Sequence, residues 1–336
     1  MDSLTQIVLG ASVAEISLGR KIGNKAILWG AIAGTIPDLD VLARQFTDTL
    51  GAVEFHRGIT HSLVFCLVLA PILGWLVSRI YRKKEATVKE WSLLFFWALV
   101  THPLLDAHTT WGTQFFWPMD LRLAYKNIFV IDPLYTLPFL TCLLLAMRLK
   151  RTHPKRQFYA RLGLWLSTAY LLVTLVIKLS MLQVFKAQLE AQQLTYTDIS
   201  VKPTPFNSIL WSANVATEDH YLIGYYSFFD ADEQIRFSSY PKNHDLGQKL
   251  PETIELNRLI NISEGWYILE QGPQESLRFH DLRFGMLSSD PAEKKFAFTY
   301  ALQPKGDAVL VTEIPRNRED APRILSSLWH RIWGNH

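Results

Sequence analysis

Cysteine is almost missing from this chain of 336 residues: there are two, Cys66 and Cys142, both in its apolar first half. Neither has the partner spacing of a redox pair or a zinc finger, and the cysteine-free remainder has no disulfide framework. Charge of one sign is scarce as well. The 34 basic and 31 acidic residues leave +3 at pH 7, too small an excess to indicate a nucleic-acid partner. There is no phosphate-binding glycine loop, no nucleophile elbow, no low-complexity tract and no convincing internal repeat. The start lacks the basic stretch and small-residue cleavage site of a signal peptide, so the first residues are expected to belong to the mature structure.

What the chain has is apolar sequence, 49% of its residues, crowded into the first half. Runs at 59–81, 91–106, 128–149 and 159–182 approach or exceed the roughly 18 residues of a spanning helix. Two shorter and more polar segments, 4–18 and 26–42, precede them; there Gly30 and Gly34 have the small-xxx-small spacing that lets helix backbones touch inside a bundle. Basic residues then set the topology. Arg20, Lys21 and Lys25 fall between the first two segments, Arg79, Arg82, Lys83, Lys84 and Lys89 between the third and fourth, and Arg148, Lys150, Arg151, Lys155, Arg156 and Arg161 between the fifth and sixth. The positive-inside rule makes all three clusters cytoplasmic. Six helices meet that demand and place the N-terminus, the connections 43–58 and 107–127, and everything after about Leu182 on the outer side.

Four motifs rich in ionisable groups lie within or at the ends of these segments: Pro37-Asp38-Leu39-Asp40, His56-Arg57-Gly58-Ile59-Thr60-His61, Thr101-His102-Pro103-Leu104-Leu105-Asp106 and Asp132-Pro133. A buried carboxylate or imidazole in a membrane helix is costly unless it is paired or holds an ion, so such a cluster is by default a functional site, and the His and Asp content points to a metal. At about 1.5 Å per residue, Asp38 stands roughly 20 Å above Lys25, His61 roughly 27 Å above Arg79, His102 roughly 20 Å above Lys89 and Gln6 roughly 21 Å above Arg20. Four segments therefore bring polar groups to one outer level. His102 and Asp106 share a helix face, with Pro103 expected to kink the turn. Gly58 is expected to leave His56 on an entering loop and His61 in the first helical turn, and Pro37 to allow a turn that points Asp38 and Asp40 inward.

Plainer readings stand beside these: helix-end caps for Asp38, Asp40 and Asp132, a capping turn for Thr60-His61-Ser62, a hydrogen-bonded fastener for His102 with Asp106, and an interfacial Arg57. His108, Gln114 and the aromatic run Trp111, Phe115, Phe116 and Trp117 fit an interfacial belt as well as a substrate-binding lip. Glu15, about two turns below Gln6, reads as a bundle-interior or cytoplasmic-end residue.

In order along the chain, the M-D-x-L-T start, G-x-I-P-D-L-D, H-R-G-x-T-H-S and T-H-P-L-L-D resemble the membrane-bound metal-dependent hydrolase family, also labelled LexA-binding inner-membrane-associated hydrolases, over roughly residues 1–150. The resemblance implies a multi-pass protein of a bacterial or archaeal cytoplasmic membrane and a hydrolase with metal ligands among Asp38, Asp40, His56, His61, His102 and Asp106. Remote similarity of that family to the zinc-dependent phospholipase C and nuclease group implies a phosphoester substrate. Where many relatives begin Thr-His, this chain has Thr5-Gln6, so a first-helix imidazole is absent here. The LexA label is not carried over, since an outer-side site does not meet a cytoplasmic repressor.

On this reading Asp40, His61, His102 and Asp106 hold a divalent metal, zinc in first place and manganese in second. Asp38, His56 and Arg57 are the catalytic groups, and Arg57, Gln114 and Asp132 contact the substrate, Arg57 by gripping an anionic oxygen bidentately. Water activated by the metal is expected to attack a phosphoester or lipid-linked substrate at the outer membrane face. The alternative is a non-enzymatic ion-binding carrier or regulator using the same His/Asp cluster. Because the polar groups stop at one level instead of continuing to the cytoplasmic side, the enzyme is favoured.

From about residue 188 the sequence turns polar, with short alternating runs at 221–229, 265–269, 277–284 and 308–312 separated by Pro, Gly, Asn and Asp. The expected architecture is an α-helical polytopic membrane domain of about six helices, residues 1–187, followed by a soluble, mostly β extracytoplasmic domain, residues 188–336, ending in an amphipathic stretch around 325–332. His220, His244 and His280 are scattered without ligand spacing.

Overall fold

The structure, a computed structural model, describes residues 1–81, 86–232, 234–251, 254–273, 275–288, 294–306 and 308–334. Arg82, Lys83 and Lys84 of the expected second basic cluster lie outside the described residues. The chain divides into two compact units, Met1–Ala43 with Phe55–Val176 and Pro205–Asn207, and Arg44–Glu54 with Ile177–Thr204 and Ser208–His336.

The first unit is helical. Helix α1 (Ser3–Ile22) starts where the Asp2 side chain accepts the Thr5 N–H at 3.1 Å, and ends at Gly23 with φ 63°. It packs closely on α2 (Asn24–Thr35). A Cβ on Gly30 would come within 2.3 Å of the Gly10 carbonyl oxygen, and one on Gly34 within 2.4 Å of the Gln6 carbonyl oxygen, so the two backbones touch as the glycine spacing predicts. A 3₁₀ turn, Pro37–Gln45, then α3 (Thr49–Phe55) and a short 3₁₀ turn, Ile59–His61, lead into α4 (Leu63–Ile80), capped by Ser62. Helix α5 (Val88–Asp106) opens on a capping box of Thr87 and Glu90 and continues through Pro103 to Asp106. Helix α6 (Pro133–Met147) is capped by Asp132, and α7 (Pro154–Ala191) follows. Trp91, Leu94, Phe95 and Leu99 of α5 are fully buried against the small residues Ala14, Ala26, Ala33, Cys66 and Ala70, so α5 is the central column of the bundle.

By length and composition, α4 and α7 are able to cross a membrane; α2 with the turn Pro37–Gln45, bent by 43°, makes a third span if the pair counts as one, and α6 is apolar but shorter. The count falls below six on these criteria because α1 carries Glu15, Arg20 and Lys21, and α5 carries Lys89, Glu90 and Asp106. The outward residues Leu67, Val68, Trp75 and Leu76 of α4 and Trp165, Leu172, Val173 and Val176 of α7 are exposed, faces suited to lipid.

The second unit is built on two four-stranded antiparallel sheets, each a simple meander: β1 (Asp198–Pro203), β2 (Leu210–Ala216), β3 (His220–Ser227) and β4 (Phe237–Pro241), then β5 (Tyr267–Gln271), β6 (Leu277–Met286), β7 (Phe296–Lys305) and β8 (Ala308–Glu313). Residues from both sheets, Tyr221 and Ile223 with Ile268 and Leu282, share one core, and Asn214 donates to the Leu282 carbonyl at 2.6 Å. Helix α7 runs on to Ala191, past the expected end near 182, because Met181, Phe185 and Leu189 are buried against Val201, Trp211 and Val215. Helix α8 (Ile254–Ile262) precedes β5, and the amphipathic α9 (Ala321–Ile332) buries Leu328 and Ile332 on Leu210 while Leu325 and Trp329 stay exposed. Segment Arg44–Glu54 belongs to this unit by its packing. Leu50, 1% exposed, lies in a core with Leu259, Leu269, Phe279 and Tyr300, and Arg258 binds Glu54 at 2.7 Å and Asp48 at 2.8 Å.

Candidate metal centre

Asp38, His61, His102 and Asp106 each offer one ligand atom, and these four atoms lie within 4.8 Å of one another; it is the one such group among the described residues. Three different pieces of the first unit supply them. The 3₁₀ turn after α2 carries Asp38, the turn before α4 carries His61, and the last two turns of α5 carry His102 and Asp106. The side chains of His61, His102 and Asp106 are fully buried, whereas that of Asp38 is 27% exposed, so the group opens on the Asp38 side.

For neutral rings, the form that binds a metal, the hydrogen bonds fix both imidazole tautomers. His102 Nδ1 lies 2.7 Å from the Gly34 carbonyl, which only accepts, so Nδ1 carries the proton and Nε2 the lone pair. The Thr60 hydroxyl donates to Asp40 Oδ2 at 3.2 Å and therefore accepts from His61 Nδ1, 3.0 Å away, which again leaves the lone pair on Nε2. The two lone-pair nitrogens face each other at 3.2 Å. Asp38 Oδ1 is 3.4 Å from each of them, and Asp106 Oδ2 is 3.5 Å from His61 Nε2 and 3.7 Å from His102 Nε2. Four acceptor atoms converge, two of them carboxylate oxygens; such a set repels itself unless a cation lies between its members. Asp106 Oδ2 is buried and makes no hydrogen bond among the described residues, although Arg57 Nε is 3.1 Å away. The donor set thus fits a metal ion.

Around the group, Asp106 Oδ1 accepts from Gln6 Nε2 at 2.9 Å and from the Met1 amine. Gln6 also reaches the His102 carbonyl at 3.3 Å. Gln6 therefore holds a carboxylate of the group. Arg57, 5% exposed, adopts φ 60°, in the left-handed region that a side chain occupies at a cost of about 1–3 kcal/mol. That conformation lets its N–H donate to Asp40 Oδ2 at 2.8 Å while its guanidinium spans Asp106 and the Thr109 hydroxyl, 2.8 Å from Nη1.

Other candidates fall elsewhere. Asp40, assigned to the metal from the sequence, lies beside the group instead, bound through Oδ1 to His56 Nδ1 at 3.0 Å and through Oδ2 to Arg57 and Thr60. Asp38, assigned to catalysis, takes the place among the converging atoms. In a 3₁₀ turn, at about 120° per residue, two positions spaced by two cannot face the same way, so one carboxylate points at the imidazoles and the other back at the His56-Arg57 turn. His56 is half-buried, edge-on to Trp111 with ring centroids 5.4 Å apart. The Gln114 N–H donates to the Arg57 carbonyl at 3.0 Å and its side chain turns to Asp120 at 3.4 Å. Asp132 is not with the group: it caps α6 through the N–H groups of Leu134 and Tyr135 at 3.0 and 3.2 Å and accepts from the Tyr170 hydroxyl at 2.9 Å. His108 is held by Asn127 at 2.9 Å. Glu15 is locked in a bidentate pair with Arg156, at 2.7 and 2.6 Å. Sequence reasoning passed over the Gly34 carbonyl and Thr109; the glycine spacing on α2 was the one signal that a backbone atom would lie close.

A helical membrane unit enclosing a His/Asp group that can hold a metal ion defines the class of protein. The profile of the YdjM inner membrane protein family matches residues 1–181, more than half of the chain, which therefore belongs to that family and to the inner membrane. Inner membrane protein YbcI of Escherichia coli (strain K12) is 36% identical over 115 residues, covering 33% of this chain and 65% of that protein, just under two thirds of its length. No solved structure matches the chain.

Proposed function

We propose that the protein is a metal-dependent hydrolase of the inner membrane, acting on a phosphoester or lipid-linked substrate at the outer face, with a C-terminal β unit on the same side and about six helices in the membrane. The observation that carries this reading is the size of the converging group. Four ligands at about 2.0–2.1 Å from a tetrahedral zinc ion are about 3.3–3.4 Å apart; here the two imidazole nitrogens are 3.2 Å apart and lie 3.4–3.7 Å from the carboxylate oxygens, with all four atoms within 4.8 Å. Two imidazoles and two carboxylates favour zinc, with manganese second. Bound there, the ion would supply Lewis acidity and an acidified water.

The chain's own residues do the rest. Asp40 accepts the His56 Nδ1 proton, which leaves the lone pair on Nε2 of a half-buried imidazole, the arrangement of a general base that later returns the proton. Arg57, clamped by Asp106 and Thr109, presents a fixed cation beside the group for an anionic substrate oxygen. Asp132 has the role of a cap in this scheme. The ion-carrier alternative needs titratable groups leading away from the centre; Glu15, roughly 13 Å further along α1, is consumed by Arg156 and Gln157.

The test compares purified His102→Ala and Asp132→Asn with the parent protein by elemental analysis and turnover on a panel of phosphodiesters and lipid phosphates. His102→Ala is expected to lose both metal and activity while remaining folded, and Asp132→Asn to keep both. Full metal occupancy and turnover in His102→Ala would reduce the centre to a structural hydrogen-bond cluster.

A further inference from the structure

A crevice between α1, α5 and α7 of the first unit stands apart from the metal group. It consists of three hollows of about 380, 270 and 350 Å³ that share walls. Arg161 and Trp165 line the first two, and Ile16 and Leu164 the second and third. The far end is closed by Trp97 and Thr101 of α5, the latter one residue before His102. Arg20 and Arg161 line the crevice at its other end, one from α1 and one from α7.

The charge of that end is unanswered within the protein. Both arginines are exposed and make no hydrogen bond or ion pair among the described residues. Their basic neighbours are engaged: Lys21 with Glu90 at 2.8 Å, Arg156 with Glu15 at 2.6 Å, Arg151 with the Lys21 carbonyl at 2.8 Å. Among the described residues, no Asp or Glu lines any of the three hollows. Beyond the arginines the walls become apolar, with Trp165 at 70% exposure marking the change as an interfacial indole does. From Arg20 to Val13 the crevice runs about 10 Å along α1, within the roughly 15 Å depth of one leaflet's hydrocarbon. An apolar slot of that depth with two unpaired guanidiniums at its mouth matches one kind of molecule in a membrane.

We propose that the crevice is a binding site for an anionic phospholipid of the leaflet on the side of the basic loops, its phosphate held between Arg20 and Arg161 and one acyl chain lying along Ile16 and Leu164 towards Thr101. This inference does not depend on the hydrolase reading; it rests on the inner-membrane location and the charge of the crevice.

Native mass spectrometry of the full chain, released from nanodiscs of equal phosphatidylglycerol and phosphatidylcholine, reads the occupant directly. The parent protein is expected to retain one phosphatidylglycerol per chain with a preference of roughly tenfold or more over phosphatidylcholine, as two basic contacts at a membrane surface imply. Arg20→Ala with Arg161→Ala should reduce that preference to near unity. Ile16→Trp, which fills the slot and leaves both arginines in place, should abolish retention of either lipid. Equal retention of the two lipids by the parent protein, or an undiminished preference in the double variant, overturns the proposal. So does displacement by inorganic phosphate alone, which would make the arginines a phosphate site without a lipid. A dimer that Ile16→Trp converts to monomer would assign the crevice to a second copy of the chain instead.

Discussion

The contact between Gly34 and α1 ties helix packing to metal affinity, and Gly34→Ala tests that tie. Its Cβ would stand 2.4 Å from the Gln6 carbonyl oxygen, where ordinary contact begins at 3.4 Å, so α2 must move by about 1 Å. The Gly34 carbonyl is the acceptor that fixes the His102 ring, at 2.7 Å, and a movement of that size carries the bond to the limit of hydrogen bonding. Overpacking of this kind costs about 1–3 kcal/mol of stability, and loss of the partner that orients a ligating imidazole lowers metal affinity about 10–100-fold. Gly163→Ala separates the two effects. Its Cβ would meet Cys142 Cβ and the Phe139 ring at 2.9 Å, between α6 and α7, without touching the metal group. Chelator-competition titration with zinc and thermal unfolding in the same detergent should show Gly34→Ala weakened in both and Gly163→Ala weakened in stability alone. Parental metal affinity in Gly34→Ala, or an equal loss in Gly163→Ala, would refute the reasoning.

An alkaline phosphatase fused after Glu190 is expected to be active and a cytoplasmic reporter at the same point silent; the opposite pattern would invert the topology. Burial draws His280 down to about 4 from its ordinary 6.5, against the pull of Glu270, whose carboxylate is 3.3 Å from Nε2. The unfolded chain then takes up this proton first, so the second unit holds its full stability above about 6.5 and loses it towards about 4, by at most about 3–4 kcal/mol. His280→Gln should flatten that pH window in hydrogen exchange of β6 and β7, and an unchanged profile would remove His280 as the cause. Leu50→Ala removes a side chain 1% exposed in the second unit's core and should cost that unit about 2–5 kcal/mol, visible as faster exchange in α8 and β5; unchanged exchange would place Leu50 outside that core.

Convergence of the motifs was legible because charge in apolar helices is conspicuous and the helical rise converts sequence position into depth: the segments bearing Asp38, His61, His102 and Gln6 were set at one level, and these four residues meet. The choice between Asp38 and Asp40 was not legible, since it depends on a 3₁₀ turn whose angular step differs from that of the helix it follows. Nor was the position of Arg57, whose positive φ no local sequence rule announces for a residue other than glycine. In the second unit, β3, β5, β6 and β8 were read from alternation or β-branched runs, whereas β1, β2, β4 and β7 were not. The Leu-Trp-Ser-Ala-Asn-Val-Ala sequence of β2 is buried along its whole length, so it has no alternation to detect.

One consequence of the chain's path concerns the limits of the metal-binding part. All the residues converging on the metal group precede position 107, which invites the view that the N-terminal helices suffice. Segment Arg44–Glu54, however, is a piece of the second unit: Leu50 is buried in its core and Arg258 fastens Asp48 and Glu54. The Arg258 guanidinium holds the Asp48 carboxyl below its usual range. Each of these exposed pairs is worth at most about 1 kcal/mol, so the apolar anchor decides. Asp40 lies four residues before this segment and His56 two residues after it. The hydrogen bond between Asp40 and His56 thus closes a loop whose middle is held by the second unit. Ordering that middle lowers the entropy lost on closing the loop, so folding of the second unit favours the Asp40-His56 pair without contributing a ligand. A chain cut before the β unit would keep Asp38, His61, His102 and Asp106 but lose what restrains the residues that orient the proposed base.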